Sequence, residues 1–433
     1  MSTRRRVLRN SGYNLIAGIS QRIGQTVTFI LVAWMLTPEA LGSYKLAITY
    51  TSILLTLSLW GLDQLLVRDV SKDKTKVGLY LGNYMALRLA LATVFWLGIV
   101  LVSPYLPYAP ETKQFIVIMT ASIIPASISN LFQAVWASFE DMKSYTVVLL
   151  IFSVVRIVGG VAVLLNIAVL MPIAAIFLLA SIAEMLTNGW ILSRRPFVRQ
   201  SIWKWDWRFA RHSLKIATPL IAVSFILIVE YQFDDVILSF FWPEEVVGVY
   251  GTAAMIFTLL LFIPRSIQLA LFPVISRAYH NQSNLQAVYS QSMKFLIVLT
   301  FPIALFVSLF SSQIIEFVFG SVYEEAGPIL AVLAWAFFIA ALNVPNSRLL
   351  ISANKQRMVA VFALFSMVGN ILLSLWLVPR FGGLGTAWAR VLAMPLYTIP
   401  ALVYVQRYIC RLDWREFFRL DMAYLRPGAG KGL

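Results

Sequence analysis

The chain has 433 residues, of which 60% are hydrophobic and 13% are charged. Soluble domains average about half apolar and about a quarter charged residues, so this composition excludes a soluble globular protein and indicates a polytopic membrane protein. The net charge of +15 is then a signal of topology, because cytoplasmic loops are rich in Lys and Arg.

The first predicted element is a membrane helix at the N-terminus. Arg4, Arg5, Arg6 and Arg9 precede an apolar run that continues to Leu36. This run is too long for the apolar region of a signal peptide and lacks a small-residue cleavage site. We therefore interpret it as the first transmembrane helix.

Apolar segments of similar length recur along the rest of the chain. A helix needs about 20 mostly apolar residues to cross a bilayer. Prolines inside several segments predict kinks, because each proline removes a backbone hydrogen bond. The sequence predicts twelve spans, over residues 11–36, 42–66, 78–103, 114–138, 145–167, 169–193, 213–241, 246–275, 293–319, 326–352, 357–379 and 383–408.

The loops between these segments predict the orientation. Alternate loops, starting with the N-terminus, hold most of the 35 Lys and Arg residues. The opposite loops and their margins hold Lys45, Lys113 and Arg380. This asymmetry predicts that both termini are cytoplasmic and that the number of spans is even.

A short motif indicates an internal duplication. Residues 38–44, with the sequence PEALGSY, match residues 243–250, PEEVVGVY, with one inserted residue, and Ala137–Met142 resembles Ile351–Gln356. Six spans per half would give both halves the same orientation, as in parallel transporter repeats. We expect an all-α integral membrane protein with about twelve transmembrane helices in two six-helix bundles, related by an internal pseudo-twofold axis. The predicted parts are an N-terminal half (1–193), a basic cytoplasmic linker (194–212), a C-terminal half (213–408) and a cytoplasmic amphipathic tail (409–433).

Arginines inside the predicted spans are candidates for substrate binding. Charged residues at membrane depth are rare and face a bundle interior or an aqueous cavity, and a guanidinium binds phosphate or carboxylate in bidentate fashion. Structural pairing of each arginine with a carboxylate is the alternative. The six candidates are Arg22, Arg88, Arg156, Arg265, Arg348 and Arg390.

Carboxylates in the spans have two interpretations. They either hold the arginines in place or couple transport to H⁺ or Na⁺. Glu230 and Asp234 are four residues apart on one predicted helix face and are the preferred coupling pair. The full set is Glu230, Asp234, Asp235, Glu184 and, near a helix end, Asp63.

Nothing in the sequence predicts an enzyme, a cofactor or a metal site. No nucleotide-binding glycine loop or nucleophile–base set stands out on a loop. The one cysteine, Cys410, excludes an intramolecular disulfide, and two histidines are too few for a histidine-rich metal site.

Three stretches carry a resemblance to a known family. They are PEALGSYKLA after the first span, GLDQLLVRDVS closing the second and FDDVILSFFWPEEVVGVYGTA in the seventh. With twelve predicted spans, they resemble the Wzx-type oligosaccharide flippases of the multidrug/oligosaccharidyl-lipid/polysaccharide exporter superfamily. The resemblance implies a multi-pass protein of the bacterial inner membrane that moves an undecaprenyl-pyrophosphate-linked oligosaccharide repeat unit outward by alternating access, for O-antigen, capsule or exopolysaccharide synthesis.

The same resemblance implies the partners and leaves alternatives open. The implied partners are an anionic lipid-linked oligosaccharide, membrane lipids, H⁺ or Na⁺, and polysaccharide polymerase and chain-length proteins, with no nucleic acid. A drug or cation antiporter or a peptidoglycan-precursor flippase of the superfamily is an alternative, although precursor flippases resemble fourteen-helix chains. A membrane polysaccharide polymerase or glycosyltransferase is an alternative from another class, but every predicted external loop is short.

Overall fold

The computed structural model describes residues 13, 24–167, 169–199, 204–280 and 284–412, and the residues in these ranges form helices and turns without a β-strand. Helical segments that are long and apolar enough to cross a membrane number eight in this part of the chain, or up to nine if one bent pair counts as a span. The predicted class, an all-α integral membrane protein, is confirmed. The count of twelve spans and the cytoplasmic termini stay predictions, and most of the predicted tail lies outside the described residues.

The chain forms two compact units that divide between Gly248 and Val249. The predicted division into six-helix halves stays a prediction. The first unit contains α1 (Gly24–Met35), α2 (Pro38–Leu59), α3 (Leu62–Lys72), α4 (Val77–Val102), α5 (Pro110–Ala121), α6 (Ile123–Ser138), α7 (Met142–Ile167), α8 (Met171–Ser193), α9 (Pro196–Arg199), α10 (Trp207–Phe241) and the start of α11 (Glu244–Leu260).

Within the described residues, the second unit contains the rest of α11 and six further helices. Its buried core includes Tyr289 of α13, Leu349 of α15 and Phe362 of α16. The six helices are α12 (Phe262–His280), α13 (Leu285–Leu309), α14 (Ser311–Phe319), α15 (Ala326–Ser352), α16 (Gln356–Ala393) and α17 (Pro395–Tyr408).

The second predicted span is broken into α2 and α3. Trp60 and Gly61 both have a positive φ, 48° and 68°, and the two helices meet at a bend of 43°. A left-handed conformation ends a helix and favours glycine. The prediction of one continuous span over residues 42–66 therefore missed this bend, after which α3 begins in a new direction.

Prolines occupy two kinds of position. Pro125, Pro264 and Pro395 lie in the first turns of α6, α12 and α17, where a missing N–H leaves no hydrogen bond unmade. The predicted spans around them are each divided just before the proline. Other prolines lie within helices, at Pro219, Pro273, Pro302, Pro345, Pro379 and Pro400.

The core of the first unit holds α3, α4 and α6 together. Leu66 of α3, Tyr84 of α4 and Trp136 of α6 are buried in one apolar cluster with Ala217 of α10. Burial of large side chains on several helices fixes their mutual positions. This core therefore sets the places of the polar residues that α3, α4 and α6 carry beside it.

Candidate substrate-binding site

Arg88 is fully buried and bonded to two helices beside its own. It lies on α4. Its Nη2 forms an ion pair with Oδ1 of Asp63 in the first turn of α3, and its Nη1 donates a hydrogen bond of 2.6 Å to the carbonyl oxygen of Ser127 on α6. A buried charge is stable only when it is paired and hydrogen-bonded. Arg88 therefore ties α3, α4 and α6 together in this conformation.

Arg156 forms a second ion pair and keeps some exposure. It lies on α7, and its Nη2 contacts Oε2 of Glu184 on α8. The Arg156 side chain is 21% exposed, whereas that of Glu184 is 9% exposed. Ser129 of α6 donates a hydrogen bond of 3.3 Å to Oε1 of Glu184, and Asn188 of α8 donates one of 3.2 Å to Ser129. The carboxylate is thus held by Arg156 and Ser129, and Asn188 in turn holds the hydroxyl of Ser129.

One short stretch of α6 serves both ion pairs. The carbonyl of Ser127 accepts from Arg88, and two residues later the hydroxyl of Ser129 donates to Glu184. Because both contacts come from one rigid helix, the positions of the two pairs are coupled through α6. The sequence predicted the four charged residues but not this shared support.

A cleft of about 600 Å³ opens beside Asp63, between α3, α6 and the start of α7. Its apolar lining includes Val67, Ala134 and Met142. Arg68 at the cleft is already bound to its neighbour Asp69 through two hydrogen bonds of 2.8 and 3.1 Å. The polar lining residues are Asp63, Gln64, Arg68, Asn130, Gln133 and Tyr145.

The neutral polar residues of the cleft are absent from the predicted site. Gln64, Asn130, Gln133 and Tyr145 carry no charge, so a search for intramembrane charges does not find them. One signal was available in the sequence. Asn130 and Gln133 are three residues apart within an apolar segment, and this spacing places both amides on one face of a helix.

A third ion pair joins α2 to α10. Asp235 is buried, and its Oδ2 lies 3.1 Å from Nζ of Lys45 and accepts a hydrogen bond of 2.8 Å from Thr49. The sequence counted Lys45 with an external loop margin, but it lies on α2, with its side chain 19% exposed. The side chain of a lysine has an apolar stem, so Lys45 can lie within a predicted membrane span.

Two predicted residues of the first unit fall outside the described structure. These are Arg22 and the side chain of Glu230, whose backbone is part of α10. Asp234, like its neighbour Asp235, is buried. The pairing of Glu230 with Asp234 as coupling groups stays a prediction.

The second unit carries the three remaining arginines on different helices. Arg265 lies on α12 and is partly buried. The guanidinium of Arg348 on α15 lies 5.5 Å from the ring centre of Phe272, and that of the buried Arg390 on α16 lies 5.4 Å from the ring centre of Phe257. Such cation–π contacts stabilise a guanidinium away from water. Their roles in substrate binding stay predictions.

The sequence matches a known family over most of its length. Residues 7–279 match the family described as polysaccharide biosynthesis protein, and residues 219–376 match the MatE family. The first match covers more than half of the chain. The chain belongs to the polysaccharide biosynthesis protein family.

Individual members and structures agree with this family. A probable low-salt glycan biosynthesis flippase of Haloferax volcanii is 27% identical over 255 residues, which are 58% of this chain and 53% of that relative. The match therefore spans about half the length of the relative. The predicted resemblance to polysaccharide flippases of the exporter superfamily is confirmed by the family matches and this relative together.

Solved structures of other proteins share the fold of this chain. The lipid II flippase MurJ in an inward closed conformation has a TM-score of 0.76 at 16% identity, covering 95% of this chain and 90% of that one. An inward-facing multidrug resistance MATE family transporter of the MOP superfamily has a TM-score of 0.72 at 14% identity, covering 89% and 94%. The fold is that of MOP superfamily transporters, and the protein is a multi-pass membrane protein.

Proposed function

We propose that this protein is a flippase that moves an undecaprenyl-pyrophosphate-linked oligosaccharide repeat unit from the cytoplasmic to the outer leaflet, for O-antigen, capsule or exopolysaccharide synthesis. One observation carries the proposal. A partly exposed arginine, Arg156, is held by Glu184 within an apolar helix of a polysaccharide biosynthesis family member. A cation at such a place suits an anionic lipid headgroup.

Arg156 is the residue that we assign to the pyrophosphate. A guanidinium has five N–H donors, and the ion pair with Glu184 engages its Nη2. The remaining donors match phosphate oxygens, which an arginine binds in bidentate fashion. Arg88 is fully buried and bonded on both amino groups, so we assign it a positioning role through Asp63 and α6. We also propose direct contacts with the substrate, because of their positions in the predicted spans, for Arg22, Arg265, Arg348 and Arg390.

Transport by alternating access needs a bias, which we assign to an ion gradient or the membrane potential. Asp63, Glu184 and Asp235 each neutralise a cation of the first unit. Glu230 and Asp234 share a face of α10 by their spacing. We propose this pair for coupling to H⁺ or Na⁺.

The same proposal places the protein in the bacterial inner membrane with both termini in the cytoplasm. It also includes polysaccharide polymerase and chain-length proteins as partners. The glycan biosynthesis relative and the two solved structures above are named as flippases or transporters, which supports a transporter. A drug or cation antiporter fits the first unit less well. Its acids Asp63 and Glu184 are bound to arginines, so they offer little net negative charge to a cation.

Deletion of the gene tests the function directly. The expected result is loss of surface polysaccharide and accumulation of a lipid-linked repeat unit in the inner leaflet, identified by mass spectrometry of the extracted lipids. A plasmid copy should restore export, and Arg156→Ala should not. Accumulation of a peptidoglycan precursor instead would identify the alternative flippase, and normal polysaccharide without any accumulated intermediate would refute the proposal.

A further inference from the structure

The cleft between α3, α6 and α7 is charge-balanced. Of its described lining residues, Asp63 and Arg68 carry charges. Asp63 is bound to Arg88, and Arg68 is bound to Asp69 by two of its nitrogens. The charges of the cleft are therefore engaged within the protein, and its neutral polar groups are the ones that remain for a ligand.

Its remaining polar groups suit hydroxyls. Each amide of Gln64, Asn130 and Gln133 offers both donors and an acceptor. Asn130 uses one amide hydrogen for the carbonyl of Ala126 at 2.8 Å, and its oxygen and second hydrogen remain for a ligand. Asp63 uses Oδ1 for Arg88, which leaves Oδ2 as an acceptor. A sugar hydroxyl is a donor and an acceptor at once, so this mixed set matches a polyhydroxylated ligand.

The size and lining of the cleft also suit a sugar. Its volume of about 600 Å³ lies within the range of small-molecule sites, roughly 300–1,000 Å³. The ring of Tyr145 and the side chains of Val67 and Met142 supply apolar surface for the C–H faces of a sugar ring. Amides, a carboxylate and an aromatic ring are thus assembled on three helices around one opening.

The cleft is connected to the proposed pyrophosphate site through α6. Asn130, which lines the cleft, directly follows Ser129, which donates to Glu184. Glu184 in turn holds Arg156. The cleft and the Arg156–Glu184 pair are therefore both supported by α6.

We propose that this cleft is the subsite for the sugar moiety of the transported glycan lipid, with Gln64, Asn130 and Gln133 as its recognition residues. The inference rests on the proposed flippase function. It adds that neutral amides of the first unit bind the glycan, whereas Arg156 binds the charged pyrophosphate of the lipid carrier.

Binding to two probes tests the subsite with the full-length protein in lipid nanodiscs. The probes are undecaprenyl pyrophosphate without sugar and the lipid-linked glycan extracted from the deletion strain. We expect the wild-type protein to bind the glycan lipid at least tenfold more tightly than the bare carrier. Asn130→Ala and Gln133→Ala should reduce this ratio to near one without weakening binding of the bare carrier.

A variant at an exposed position and a matched control distinguish loss of the subsite from misfolding. Gln64 is exposed on α3, so Gln64→Ala should preserve the fold and lower the ratio severalfold. Gln114 is an exposed glutamine on α5 outside the cleft, and Gln114→Ala should leave the ratio unchanged. The subsite is refuted if folded cleft variants keep the wild-type ratio, or if the wild-type ratio is itself near one. A wild-type protein that binds neither probe would instead refute the flippase function.

Discussion

Gly42 of α2 and Gly248 of α11 lie against each other in a reciprocal backbone contact. A Cβ built on Gly42 would overlap the carbonyl oxygen of Glu244 and lie 3.1 Å from the nitrogen of Gly248. A Cβ built on Gly248 would overlap the carbonyl oxygen of Pro38 and lie 3.0 Å from the nitrogen of Gly42. Each glycine thus meets the carbonyl four residues before the other. This aligns PEALGSY with EEVVGVY without the insertion that the sequence comparison needed.

Gly42→Ala should destabilise the protein, because the new methyl group meets backbone that cannot rotate away. Overpacking of this kind costs about 1–3 kcal/mol, and we expect a lower unfolding temperature in detergent and reduced complementation of the deletion strain. Gly248→Ala should behave alike. Gly98→Ala is the control, since a Cβ there has no atom within 4 Å. Equal stability of the Gly42 and Gly98 variants would contradict the contact.

Arg156→Ala should weaken both stability and export, and a second substitution should separate the two effects. Removing one partner of a buried ion pair costs about 3–5 kcal/mol, because the other charge is left uncompensated. Combining Arg156→Ala with Glu184→Ala should recover much of the unfolding temperature without restoring polysaccharide export. The exposed Arg194, which stacks on Trp190 at 3.7 Å, supplies the control Arg194→Ala. Export by the stable double variant would show that Arg156 has only a structural role.

Arg88→Lys should be destabilising despite keeping the charge. A lysine ammonium cannot reproduce the fork that contacts both Asp63 and the carbonyl of Ser127. We expect a loss of about 2 kcal/mol, larger than for Arg68→Lys, whose pair with Asp69 is exposed to solvent. Thermal unfolding of the purified variants measures both. Equal losses at the two positions would argue against the bridging role of Arg88.

Lys45→Met should destabilise the contact of α2 with α10, and Asp235→Asn should relieve much of that loss. The single variant leaves the buried Asp235 carboxylate with Thr49 but without its cation. The double variant removes both charges, and an asparagine oxygen still accepts from Thr49. A double-mutant cycle on unfolding temperature measures the coupling. Additive effects of the two substitutions would mean that the pair contributes no interaction energy.

The helices were largely predictable, because burial in lipid demands long apolar segments. The predicted span over residues 326–352 has the same bounds as α15. The bend at Trp60 and Gly61 was missed, since hydropathy is insensitive to two residues with positive φ. The prolines predicted kinks, whereas Pro125 lies in the first turn of a separate helix, α6.

The residue types of the candidate site were predictable from the sequence, but the ion pairs that these residues form were not. Arg88 and Arg156 were identified as charges at membrane depth, and Asp63 and Glu184 as acids. Which acid meets which arginine depends on how α3, α4, α7 and α8 pack, and a single sequence does not record this. Lys45 was placed in a loop margin because a basic residue near a turn resembles a loop residue. Its partner lies on a helix far away in the sequence.

The break at Trp60 and Gly61 gives α2 and α3 different directions and different polar partners. α2 is anchored by Gly42 and by the bonds of Lys45 and Thr49 to Asp235, whereas α3 carries one wall of the cleft. A continuous helix would transmit a tilt along its length as a rigid rod, and a break interrupts that transmission. A displacement of α3 would therefore act first on the bend at residues 60 and 61, and only through that bend on α2.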